Sequence, residues 1–274
     1  MAEANDICGA STTSAELSGE RVLLASSALL FIASAIVTIY WCSSMSGGMV
    51  MPGGWTMSMT WMRMPGQTWA GAATAFLAMW TLMMLAMMLP SFVPSLLRYR
   101  RILRVQNENR LGAQTAICGT AYFAVWSAFG AVAFTLGVIL ARAEMEWSAL
   151  ARSVPLLTGV VLLLAGCIQL TPWKARQLAL CRLAPVCIRT TPERPENAWR
   201  HGVRLGVHCA LCCSGFMIIL LVVGLMNLTA MAILAVAITV ERVAARPAIV
   251  ARAAGVAIIV VGAIAITRAL RAGG

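Results

Sequence analysis

The chain has 274 residues, of which 60% are hydrophobic and only 11% charged, and its mean hydropathy is +0.83. A soluble domain carries roughly 25% charged residues, so this composition excludes an ordinary water-soluble globular protein. The net charge of +11 does not call for nucleic acid, because the basic residues collect in loops between apolar stretches, where membrane topology puts them.

Residues 22–62, 64–97, 111–141, 153–173 and 205–240 carry no charge. Each interval accommodates the about 20 apolar residues that cross a bilayer core. The expected fold is an all-α, polytopic transmembrane helical bundle of about seven spans, with six as the alternative. It forms a single domain over residues 22–271, after a cytosolic tail of residues 1–21. The tail holds Glu3, Asp6, Glu16 and Glu20 and no basic residue before Arg21, the wrong start for a cleaved signal peptide.

The first helix is expected at Val22–Tyr40. An outer loop, residues 42–69, follows it, and Pro52, Gly53, Gly54, Pro65 and Gly66 make that loop tight and re-entrant. The second helix runs from Ala70 to Leu97 and should kink near Pro90 and Pro94, because proline removes a backbone donor. The third covers Ala113–Ala141 and the fourth Val154–Thr171. A basic cytosolic loop, residues 172–204, holds Pro185, Pro192 and Pro195 and reads as irregular. Residues 205–241 would reach about 54 Å as one helix, too long for one crossing. Gly224 and Asn227 offer a break and a cap, which splits the segment into Leu205–Gly224 and Leu228–Glu241. The last helix is expected at Pro247–Thr267. Arginines crowd the second, fourth and sixth connections, so the positive-inside rule puts the N-terminus in the cytosol. The expected location is the bacterial cytoplasmic (inner) membrane, with the lipid bilayer as the first partner.

Twelve of the 17 methionines lie between Met45 and Met88. Met45, Met49, Met51, Met57, Met59, Met62 and Met64 fall in the outer loop. Met79, Met83 and Met87 recur every fourth residue in the second helix, with Met84 and Met88 in a parallel row, so each row lines one side of the helix. Downstream, His208, Cys209, Cys212 and Cys213 fall within an arc of about 140° of the fifth helix. Thioether and thiolate are soft ligands that select Cu(I). Copper is therefore the expected metal, and zinc suits the Cys cluster alone as the alternative. Both residue types also serve as ordinary packing. Cys118 and Cys167 read individually as core residues, though topology puts them at the depth of the cluster. Glu241, at the end of the sixth helix, either pairs with a neighbour or serves as a gate or proton site. His201 stands among arginines and is expected to be solvated.

Met51-Pro-Gly-Gly-Trp55, the run Phe76-Leu-Ala-Met-Trp80 with Met83-Met84-Leu-Ala-Met87-Met88-Leu-Pro90-Ser91, and Gln169-Leu-Thr-Pro172 form one block of motifs. Cys209-x-x-Cys212-Cys213, Gly224-x-Met226-Asn227-Leu228, Met231 and Glu241-Arg242 form another. Together they resemble the signature of a family of bacterial integral membrane proteins described as predicted metal-binding. The resemblance implies a helical membrane protein with a metal site and supplies no mechanism. In the family's pattern a His-Gly pair precedes the Cys run. Here that pair is His201-Gly202, while His208 abuts Cys209, so either histidine is a candidate ligand.

The expected function is membrane copper handling, by transport or delivery from the outer Met-rich loop to the inner His/Cys cluster. The alternatives are a copper-binding subunit or assembly factor of a membrane metalloenzyme, and a zinc- or thiol-containing structural membrane protein. A soluble copper carrier or a metalloenzyme is the expected partner, and a homo-oligomer is compatible with the sequence. No HExxH or P-loop occurs and no catalytic residue is assigned. A thiol oxidoreductase is the enzyme reading closest to the residues.

Overall fold

The structure, a computed structural model, describes residues 14–44, 48–51, 55–63, 66–105, 110–183 and 197–273. Its elements are α1 (Ser14–Ser44), β1 (Gly48–Val50), β2 (Thr56–Ser58), α2 (Trp69–Val105), α3 (Leu111–Glu146), α4 (Ser148–Gln169), α5 (Pro172–Leu183), α6 (Ala198–Val223), α7 (Leu228–Val243) and α8 (Pro247–Gly273). The helices α1, α2, α3, α4, α6 and α8 are long and apolar enough to cross a membrane. The chain is an all-α, multi-pass membrane protein, apart from one small hairpin.

The contacts fix the direction of each helix. Arg101 pairs with Glu20, so the end of α2 lies beside the start of α1. Trp80 reaches Trp126 and Phe92 stacks on Tyr122, which makes α2 and α3 antiparallel. Any Cβ on Gly202 would overlap the Cys118 carbonyl, and one on Gly206 would stand 3.0 Å from that of Tyr122, so α3 and α6 run parallel. On α4 and α8, Gly159 faces Gly262 and Gly166 faces Gly255. Small residues let two helix backbones meet where lipid offers no hydrophobic drive, and this seam is antiparallel.

The expected split of residues 205–241 is present. Gly224 has φ 114°, a conformation that costs glycine little because it lacks a Cβ. Asn227 then caps α7, its Oδ1 accepting from the Ala230 N–H at 3.0 Å. With 16 residues, α7 is about 24 Å long, short of the roughly 30 Å apolar core. It nevertheless returns the chain to the end of the bundle where α4 finishes, because Glu241 meets Gln169 and Lys174.

Two expectations need correction. The segment 172–204 is not an irregular loop throughout. Residues Pro172–Leu183 form α5, and α6 begins at Ala198, where the Asn197 side chain accepts from the Trp199 N–H. The reason is a buried stripe of Lys174, Leu178 and Cys181 at helical spacing, hidden in the sequence among arginines. Pro185, Pro192 and Pro195 lie outside the described residues. The connection between α3 and α4 is Trp147 alone, where the expected helix ends at Ala141 and Val154 left residues 142–153 as a loop. The outer loop holds an antiparallel hairpin in which Met49 pairs with Met57.

Candidate metal centre

Four cysteines meet near the end of the bundle where α4 finishes and α5 begins. Cys209, Cys212 and Cys213 lie on one turn of α6, and Cys181 comes from α5. The thiol of Cys181 interacts with those of Cys209 and Cys212, and that of Cys213 interacts with the same two. Each thiol therefore has two sulfur neighbours. All four residues are buried, none more than 3% exposed, and all seven described cysteines are free thiols. Hydrogen bonds from Cys209 and Cys212, followed by the nearby Arg242 guanidinium, hold the Cys181 thiol well below its ordinary value.

The cluster is enclosed by polar groups that tie six helices together, α2 to α7. The Tyr122 hydroxyl donates to the Cys209 sulfur at 2.9 Å. Arg242 donates to the Cys181 sulfur and to the Ser91 hydroxyl at 2.8 Å, which in turn donates to the Met88 carbonyl. Lys174 donates to the Cys212 carbonyl at 2.7 Å and to Glu241 at 2.9 Å. Glu241 also accepts from the Gln169 amide at 3.1 Å. Glu241 is thus fully paired rather than facing an aqueous boundary.

Met79, Met83, Met84, Met87 and Met88 are buried, none more than 5% exposed. They belong to one contiguous buried cluster that contains all four cysteines, Cys118, Met217 of α6 and Met231 of α7. The outer methionines form a separate group. Met51 and Met57 are buried against Ala141 and Ala151, with Met62 beside them, and the Trp55 indole donates to the Ala151 carbonyl at 2.8 Å. Met49 is 43% exposed. Met45 and Met64 lie outside the described residues, and the backbone of Met59 opens a single 3-10 turn. Trp61 borders both groups and packs on Phe76 at 5.3 Å, which packs on Trp80 at 5.9 Å. An aromatic layer therefore stands between the two groups of methionines.

The other expectations divide. Cys167 is exposed on the bundle surface and takes no part in the cluster. Cys118 is buried, but its backbone lies against Gly202, about two turns of α6 before Cys209. His201 is not solvated. It is 1% exposed and stacks on Tyr99 at 4.5 Å, because α6 starts early enough to turn it inward. His208 is one turn before Cys212, and its Nδ1 is buried without a hydrogen-bond partner among the described residues. Cys181 was missed in the sequence. Its signal was the spacing Lys174, Leu178, Cys181, masked by the charges around it.

The donor set is soft and suits Cu(I). Among the described residues, no group of three or more His, Cys, Asp or Glu side chains is arranged to hold a metal ion. A structural zinc site needs four such ligands, whereas Cu(I) accepts a pair of sulfurs. The chemistry on offer is donation by soft sulfur. A family model described as PpoB2, copper chaperone, matches residues 77–265. No curated protein and no solved structure matches the chain.

Proposed function

The chain belongs to the PpoB2 copper-chaperone family, and from that premise we propose that it carries Cu(I) from the outer Met hairpin to the inner thiols. The observation that supports this reading is the single buried cluster joining the α2 methionines to Cys181, Cys209, Cys212 and Cys213. Thioethers bind without losing a proton, whereas thiols bind as thiolates, the stronger donors. That gradient favours movement inward. The ion would cross the Trp61–Phe76–Trp80 layer over aromatic faces, which attract cations. The location proposed is the bacterial cytoplasmic membrane, with a soluble copper carrier or a copper enzyme as the partner.

A second reading is static holding by a subunit or assembly factor of a metalloenzyme. It is favoured by Met51 and Met57, which are locked under the hairpin rather than presented.

The test is the metal content of detergent-purified protein, measured by mass spectrometry after anaerobic incubation with Cu(I) or Zn(II). Wild type is compared with a triple Cys209→Ser, Cys212→Ser, Cys213→Ser variant and with a hairpin variant carrying Met49→Leu, Met51→Leu and Met57→Leu. Leu for Met conserves volume, so the fold should survive. Copper should fall in both variants. Zinc lost only from the Cys variant would leave a structural zinc protein, and no metal in any sample would return the methionines to packing.

A further inference from the structure

Three of the four thiols ride on a membrane-spanning helix. The fourth, Cys181, comes from α5, which is too short to span and begins three residues after α4 ends. We propose that the inner copper site is a two-sulfur site shared between helices, made by Cys181 and Cys212, with Arg242 as its fixed counter-charge. This rests on the copper reading above and deepens it.

Several observations converge on the pair. Cys181 interacts with two α6 thiols, Cys209 and Cys212. The Cys209 sulfur is already engaged, because the Tyr122 hydroxyl donates to it. Cys212 is held in place through its carbonyl by Lys174, a residue of the same helix as Cys181.

Charge supports the same pair. Lys174 and Glu241 neutralise each other. Arg242 has no carboxylate partner in a described salt bridge, and its guanidinium donates to the Cys181 sulfur and to Ser91. A Cu(I) ion between two thiolates carries one net negative charge, which Arg242 balances. On loading, bonds form from copper to the Cys181 and Cys212 sulfurs, the S–H bond of each breaks, and both protons pass to bulk water. The ion enters as Cu(I) and remains Cu(I), so no electron moves. Arg242 acts through Cys181 and is a positioning residue.

The experiment is competition for Cu(I) between the full-length protein in detergent and bathocuproine disulfonate, without oxygen. Cys181→Ser and Cys212→Ser should each weaken binding by about tenfold or more, and Arg242→Gln by about 10–100-fold, the range seen when a residue supporting a metal ligand is lost. Arg242→Lys keeps the charge and should keep most of the affinity. Cys181→Met keeps a soft sulfur, and with the Arg242 pair it decides the matter if Cys181→Ser does not fold. Wild-type affinity in Cys181→Ser and Arg242→Gln, alongside loss of copper from the triple α6 variant, would overturn this pairing and leave the transmembrane thiols standing. Wild-type affinity in the triple variant would remove the thiol site itself, and this inference with it.

Discussion

Lys174 and Glu241 are the polar residues with most at stake, because their side chains are 2% and 1% exposed and 2.9 Å apart. Removing one partner of a buried pair strands the other's charge, which costs about 3–5 kcal/mol, whereas replacing both by apolar groups of like size is often neutral. Glu241→Gln should therefore lower the thermal midpoint of the detergent-solubilised protein sharply. Lys174→Met combined with Glu241→Leu should restore much of the loss. A Glu241→Gln variant with an unchanged midpoint would show that the pair is dispensable and return Glu241 to the role of gate or proton site. The sequence offered both options for Glu241 because it named no partner. Lys174 is 67 residues away and reads locally as one more loop cation.

Among the elements, the α4–α8 seam is a close backbone contact built on four glycines. A Cβ on Gly166 would stand 2.7 Å from the Ile259 side chain and 2.9 Å from the Gly255 carbonyl. Overpacking of this kind costs about 1–3 kcal/mol, so Gly166→Leu should lower the thermal midpoint. Gly112→Ala, with nothing within 4 Å of the new Cβ, should not. Equal behaviour of the two would mean that the seam can open without cost. The α6–α7 break was legible in the sequence, because Gly224 and Asn227 are local signals of a helix end and a cap. The helix α5 was not, because its buried stripe is only about two turns of a basic segment and needs α6 beside it to have meaning.

At the scale of the whole molecule, the antiparallel and parallel pairings make α7 a full return despite its 16 residues. The start of α1 and the end of α8 then lie at opposite ends of the bundle. A phosphatase that is active only outside the cytoplasmic membrane should be active when fused after Gly274 and inactive when inserted in the α5–α6 connection. An inactive C-terminal fusion would show that α7 turns back within the membrane. The arginines of α2, α5 and α6 gather at one end of this arrangement, beside the thiols, and the Met hairpin covers the other.

Composition and periodicity by themselves determined that this chain is a helical membrane protein, that a break falls between α6 and α7, and that its sulfur residues fall in two sets. Those properties are local, being set by hydropathy over a span's length and by residues within a few positions of each other. Only the tertiary structure decided which sulfurs meet. Cys181 joins the cluster across an interval of 28 residues to Cys209, whereas Cys167 and His201, which look comparable in the sequence, are turned to the bundle surface and to Tyr99. Depth can be counted along a helix, but the face it presents depends on where it starts and on which neighbour it packs against.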